Sequence, residues 1–556
     1  MSKSKNKKPK NTKPISERYT LKHIIANIYL TVMFTVFPLF VNLSFNTTFP
    51  FISFERGYVS IRHQKYFFFL IITAAAVIAE FLVLLTKSTT EQKEKNPDRK
   101  SEISKITFTD WAVIAFVVSC AISTVFSYYI ELAFLGEISI DDYTHGRNNG
   151  LILMLFYAAL YFFLTRCWKF KEYVFIALAS VSGAISLLAV LNGFNIDPLG
   201  MFELFKNDEN VFLNFMTTIG NKNMFASHLC VTLPVIIVMI VQTKKLWCRA
   251  VYLAATVLGA MAIVVCDSDS VVLGLGVFAA VFTVVYCRHP KKIGMYFIVL
   301  AIMLLSIKLL GIFSALGGDN YKELGAIPFK LMKSNLTYAA AAILGVLGFA
   351  AFFLGQKRGD KPLPVAIPIA VGSLFGLAAL AGLGTVVYFT AFDTETDLGE
   401  LERTLRFSDA WGTHRGFMWN KSFEAFGKYN LFEKLFGKGP ESFYYTFSPY
   451  FAELYDRFGD SSTDAAHNEY INYLMNIGIV GLCSYLAFTG SALVRAFKAA
   501  RRNPLSLVFA SAVVAYMAQA TVNISLPIAT PLFMIFVSLC EASARQSAEP
   551  TGSPRF

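Results

Sequence analysis

The sequence predicts an all-α, polytopic integral membrane protein of about fourteen transmembrane helices (twelve to fourteen), with one large extracytoplasmic loop of short helices. Three observations carry this. Of its 556 residues, 55% are apolar and 16% charged, with a mean hydropathy of +0.51, whereas a soluble domain has about 25% charged residues. The apolar residues cluster in blocks of roughly 17–25, the length that crosses a ~30 Å hydrocarbon core as helix. The connections between blocks alternate in charge. Soluble enzyme, secreted disulfide domain and disordered chain are all excluded.

The blocks fall near 24–45, 66–86, 110–130, 150–165, 173–193, 223–243, 250–266 and 271–287, then 293–313, 336–354, 362–392, 466–494, 505–523 and 526–541. The chain thus divides into a basic tail 1–23, a first membrane region 24–392, a loop 393–465, a second membrane region 466–541 and a tail 542–556. Of the 50 Lys/Arg (against 38 Asp/Glu), 32 gather on one set of connections: 1–23, 87–109, 166–172, 244–249, 288–292, 355–361, 495–504 and the C-terminal tail. The other set holds more acids than bases. Lys/Arg excess marks the cytoplasmic side, so both termini are expected there and 393–465 outside. The net charge of +12 is therefore topogenic, and nucleic acid is not an expected partner. The N-terminal lysines read as a solvated tail touching anionic lipid, and no cleavable signal is evident. The eight cysteines read as small packing residues. None lies in 393–465, and no Cys/His spacing suggests a metal.

Four stretches on the outer side carry chemistry. In 393–465, Arg415, Trp419, Ser422, Phe423 and Phe426 share one face at helical spacing, which places an arginine on an aromatic surface. Gly437-Lys438-Gly439-Pro440 and an aromatic run, Phe443 to Tyr450, follow. The plainer reading of Arg415 is a side chain snorkelling to lipid phosphate, and the sharper one is a phosphate-binding group. His467 opens the next helix with Asn468, Glu469, Asn472 and Asn476 close behind. Polar residues are costly in a membrane helix and mark a cavity or a site. An imidazole at a helix N-terminus is held neutral by the dipole, as a general base requires. Gly146-Arg147-Asn148-Asn149-Gly150 and Gly220-Asn221-Lys222-Asn223 each open a helix with a cation beside its N-terminus. They are either anion sites or ordinary capped ends.

Together these stretches resemble the O-antigen ligase / O-antigen polymerase superfamily of bacterial membrane glycosyltransferases. The match runs through Arg147 and its neighbours, Gly220 to Ala226 with Pro234, the Arg415…Trp419 helix leading to Gly437–Pro440, and His467-Asn468-Glu469-Tyr470 with Gly478 and Gly481. The resemblance implies a glycan donor on undecaprenyl diphosphate, and a glycan, glycolipid or protein acceptor. It also implies a metal-independent inverting transfer with no cofactor, at the outer face of the bacterial cytoplasmic membrane. Arg415 would stabilise the leaving diphosphate, with Arg147 and Lys222 as lesser candidates and Asn221 as a substrate contact. His467 would take the acceptor proton, held by Asn468 or Glu469. The family commonly carries a Ser-Arg-Gly motif where this chain has Cys266-Asp267-Ser268-Asp269-Ser270. The absent arginine is expected to be replaced by Arg147, Arg403 or Arg406, or the acidic pair to touch substrate. Ligase and polymerase share this apparatus. A flippase of lipid-linked oligosaccharide would instead show repeats and midplane charges, of which Glu80 and Lys308 are the candidates. A non-catalytic glycan-binding membrane protein is the third reading.

Overall fold

The computed structural model describes residues 21–41, 59–91, 105–140, 143–202, 214–318, 324–359 and 361–548. The basic tail up to residue 20 and residues 549–556 lie outside them. Each of the fourteen apolar blocks contains one helix. In chain order these and the short elements between them are α1 (Leu21–Leu39), α2 (Val59–Glu91), α3 (Phe108–Val125), α4 (Ile130–Leu135), β1 (Ile138–Ile140), β2 (Tyr143–His145), α5 (Leu151–Cys167), α6 (Glu172–Gly193), α7 (Lys222–Gln242), α8 (Leu246–Val265), α9 (Asp269–Tyr286), α10 (Pro290–Gly317), α11 (Ile327–Lys333), α12 (Leu336–Arg358) and α13 (Ala366–Ala391). The loop module then gives α14 (Glu402–Leu405), α15 (Trp411–Gly427), α16 (Leu431–Phe436), α17 (Phe443–Phe447) and α18 (Phe451–Phe458), before α19 (Glu469–Ala499), α20 (Ser506–Gln519) and α21 (Thr530–Ala548). Among the described residues, eleven helices are long and apolar enough to cross a membrane. The helices α5 and α20 are apolar but shorter, and α21 carries Glu541 and Arg545.

Those two charges are buried, and this is why α21 extends beyond the apolar block at 526–541. Arg545, 2% exposed, places Nη2 2.5 Å from Asp110 Oδ2 and Nε 2.9 Å from Glu541 Oε1. Glu541 also accepts from Arg495 Nε at 2.6 Å, and Asp110 from the Tyr161 hydroxyl at 2.8 Å. The end of α21 is thereby tied to α3, α5 and α19. At the centre, α7 is buried along its whole candidate span, while no residue of α13 is buried.

Lys308 has a local explanation. Its Nζ donates to Met332 O at 2.6 Å and Ser334 O at 3.1 Å, closing the C-terminus of α11. Lys65 does the same for α1, donating to Phe37 O (2.9 Å) and Pro38 O (3.1 Å). A cation on orphan carbonyls satisfies groups that lipid cannot.

The loop module folds on an apolar core of its own. Phe417, Met418, Phe443, Phe447 and Leu454 are buried together with Ile471 and Met475 of α19. The inward face of α15 is Phe417, Met418, Ser422 and Ala425. Phe423, expected beside Arg415 and Ser422 on one aromatic face, is 53% exposed. The module enters α19 at a break. Gly478 has φ 69°, and a Cβ there would lie 2.4 Å from the Leu435 carbonyl group, so a side chain is excluded by both backbone and space. The break frees Asn476 O, which accepts from Gly439 N at 2.9 Å and Ser123 Oγ at 2.8 Å.

Candidate functional site

Five separated segments meet around one cavity of about 330 Å³, where Arg62, Arg147, Asn221, Asp464, His467 and Asn523 are among the lining residues. Arg147 follows the β1–β2 hairpin in a turn that requires glycine at both ends. A Cβ on Gly150 would lie 2.3 Å from Gly136 N. The guanidinium grips Asp464 through two nitrogens, with Nε 2.6 Å from Oδ2 and Nη2 on Oδ1. Its backbone N–H donates to Glu441 Oε2 at 3.0 Å. Arg62, in the first turn of α2, pairs with Glu137 at 2.6 Å, and its buried Nε has no partner. Asn221 caps α7, accepting from Asn223 N at 2.8 Å. Asn523 is pinned by bonds to Asn223 O (3.0 Å) and Gln519 Oε1 (3.0 Å).

His467 lies two residues before α19 with φ 50°, a strained value for a residue with a Cβ. The preceding residue is held through both its backbone N–H and its carbonyl. Trp419 Nε1 donates to Ala466 O at 2.9 Å, and Ala466 N donates to Asn472 Oδ1 at 2.7 Å. Burial, then the charges of Arg147 and Arg415, lowers the imidazole pKa to about 3 against the pull of Asp464. The ring is therefore neutral, and burial rather than a helix dipole is the first reason. Burial pushes Asp464 up, but Arg147 and Arg62 outweigh it and hold the carboxyl below its usual range. Glu441 goes the other way. Burial and then Asp464 raise it to about 7, against Arg147 and Arg62.

Arg415 stands beside this cavity without lining it. Residues 412–414 are left-handed, with φ 60–64°, so the regular part of α15 starts at Arg415 itself. Its Nη1 donates to Gly412 O at 2.7 Å and its buried Nε has no partner. Burial lowers its pKa, with Asp269 opposing.

The cavity thus brings together His467, Arg147 and Asn221, with Arg415 close enough for its charge to act on the imidazole. The other expected residues are engaged elsewhere. Lys222 faces Asp267 at 3.5 Å. Asn468 caps its own helix, accepting from Tyr470 N at 3.0 Å. Glu469 accepts from the Tyr485 (2.6 Å) and Tyr516 (3.1 Å) hydroxyls inside the bundle. Neither Asn468 nor Glu469 holds the imidazole in this geometry. Arg406 donates to Phe389 O (3.0 Å), Asp393 O (3.1 Å) and Thr396 O (2.8 Å), closing the exit from α13. The Arg403 side chain lies outside the described residues. Asp267 and Asp269, expected to touch substrate, instead cap α11. Asp267 accepts from Ala326 N at 2.8 Å and Asp269 from Ile327 N at 2.7 Å. Sequence reasoning missed Arg62, Glu441, Asp464 and Asn523. The available signal for Arg62 was a cation just before an apolar block on the acidic side, and for Asp464 an acid three residues ahead of His467.

Residues 334–486 match the O-antigen ligase family model. The match spans α12, α13, the whole loop module and the first part of α19, and so takes in Arg415, Trp419, Asp464 and His467. No curated protein matches the chain. This O-antigen ligase-like region supplies the histidine side of the cavity, while Arg62, Arg147 and Asn221 come from preceding segments and Asn523 from a following one. Residues 334–486 are thus O-antigen ligase-like, in a chain whose described residues hold eleven helices long and apolar enough to cross a membrane.

Trp419→Phe removes the bond to Ala466 O together with part of the ring packing on Trp411. One neutral hydrogen bond contributes about 1 kcal/mol to stability, so the thermal midpoint should drop slightly. For the transferase activity proposed below, turnover should fall by more than that loss explains, at unchanged donor KM, because the peptide carrying His467 loses an anchor. Equal, small changes in both would leave Trp419 a packing residue only.

Proposed function

We propose that the chain transfers a glycan from undecaprenyl diphosphate to an acceptor hydroxyl at the outer face of a bacterial cytoplasmic membrane, in surface polysaccharide assembly. The observation that carries this reading is the single cavity in which a neutral imidazole meets two guanidinium groups, Arg147 and Arg62. In this reading all fourteen segments cross the bilayer, the basic connections face the cytoplasm and the loop module stands outside.

His467 accepts the proton of the acceptor hydroxyl, whose oxygen forms a bond to the anomeric carbon. The bond from that carbon to the diphosphate oxygen breaks, and its electron pair leaves with the lipid diphosphate. One displacement inverts the anomeric carbon. Charge that grows on the leaving group is met by Arg147 and Arg62, with Arg415 behind the imidazole. Arg62 fills the place of the arginine missing at 267–270. Asp464 orients Arg147 and offsets the imidazolium that forms. Lys308 is committed to carbonyls, which supports an enzyme over a transporter that would use that charge.

The test uses the protein in lipid nanodiscs with an undecaprenyl diphosphate glycan and candidate acceptors. Arg147→Ala should lower carrier diphosphate release by about 10²–10³-fold, the loss typical of one preorganised charge donor. Arg147→Lys should retain the fold but lose the two-point grip on Asp464. Release at the wild-type rate in both variants would sink the assignment, and glycan uptake without bond cleavage would favour transport.

A further inference from the structure

The segment from Gly437 to Ser442 has two faces. Through Glu441 it holds the Arg147 amide at the cavity. Its other face, with the carboxyl end of α3 and with α16 and α17, walls a second groove of about 580 Å³. This volume is within the about 300–1,000 Å³ range of sites for small organic ligands. Phe126, Tyr128 and Phe432 line it and leave their rings open, at 68%, 90% and 39% exposure. Glu433, Lys438 and Thr446 line it as well. The junction is fixed, since Ser127 Oγ donates to Lys438 O at 2.7 Å. Phe126 and Phe432 meet edge to face at 4.9 Å.

From this geometry we infer that the groove binds the glycan of the lipid-linked donor, beyond the sugar that reacts. The inference rests on the transferase reading above. A sugar ring has an apolar C–H face and a rim of hydroxyls. Open aromatic faces suit the first, while a carboxylate acceptor, an ammonium donor and a threonine hydroxyl suit the second. Glu433 Oε2 already accepts from Asn430 N and Lys438 Nζ stands 3.9 Å from Glu433 Oε1, so what these groups offer a ligand is their remaining donor and acceptor capacity, which a lipid tail could not use. Residues 437–442 stand between the groove and the cavity, with Gly437, Lys438 and Ser442 lining the first and Glu441 bonded to the Arg147 amide of the second, so the two sites are neighbours across one short segment. The donor's length then becomes part of recognition: the first sugar at His467, its neighbours along Tyr128 and Phe432.

The test compares two donors in nanodiscs. One is undecaprenyl diphosphate carrying a single N-acetylhexosamine, and the other is the same carrier with the oligosaccharide from the host's own lipid-linked pool. The wild type should show a lower KM for the longer donor. Tyr128→Ala and Phe432→Ala should raise that KM by about tenfold each and leave the single-sugar KM unchanged, and Tyr128→Phe should behave as wild type. Glu433→Gln with Lys438→Gln should weaken the same preference. A length preference that survives Tyr128→Ala and Phe432→Ala overturns the inference, as does a wild type with none. An equal loss on both donors overturns it in favour of a lipid contact. A wild type that cleaves neither donor overturns the transferase reading itself.

Discussion

Replacing His467 with glutamine is expected to lower glycan transfer by about 10²–10⁴-fold, the contribution of a positioned general base. The pH profile gives the sharper check. The site without substrate holds the imidazole at about 3, so kcat/KM should carry no histidine inflection near the ordinary value of about 6.5. A base that weak is inefficient. Arrival of the donor diphosphate changes this, because its negative charge offsets Arg147 and Arg62 and raises the imidazole's proton affinity. The acid limb of kcat should therefore lie at higher pH than that of kcat/KM, since the first reports the bound complex and the second the free protein. Coincident limbs, or limbs unmoved by His467→Gln, would remove the histidine from the chemistry.

Stability supplies an independent check of the same burial. Between about 3 and 6.5 the unfolded chain binds a proton at His467 that the folded chain does not. Folding therefore gains stability as pH rises across that window. Glu441, raised from 4.5 to about 7, acts in the opposite sense: its contribution is complete below 4.5 and is lost as pH rises through 7. His467→Gln should remove the first slope and Glu441→Gln the second.

The other large effect is expected far from the cavity. Arg545→Ala strips the buried Asp110 carboxylate of its closest cation and leaves buried Glu541 with Arg495 alone. Breaking one partner of a buried ionic group costs about 3–5 kcal/mol. Thermal or denaturant unfolding in nanodiscs should show that loss. Adding Asp110→Asn and Glu541→Gln should recover much of it, because the penalty comes from unpaired charge more than from absent attraction. A single-variant loss below about 1 kcal/mol, the value of an exposed pair, would mean that water reaches this network.

The helical frame was legible because lipid imposes a length and an apolar run on every crossing, and these are local properties of sequence. The ends of α2 and α21 were not. Lys65 and Arg545 look like connection residues, yet each is buried through partners remote in sequence. The site divides the same way. His467 and Arg147 stood out because each is a polar residue at the edge of an apolar block. Arg62, Asp464 and Glu441 did not, since their roles come from convergence of turns hundreds of residues apart. Asn468 and Glu469 misled for a related reason. Adjacency to His467 suggested a shared task, but a helix start turns successive side chains to different sides, and these two serve the cap and the bundle.

The wall contributed by Asn523 has a consequence for biogenesis. Because that side of the cavity is furnished by the turn between α20 and α21, a chain still emerging from the ribosome lacks this wall until that turn has been made. Under the transferase proposal, a nascent chain is thus inert toward its donor until that turn is in place.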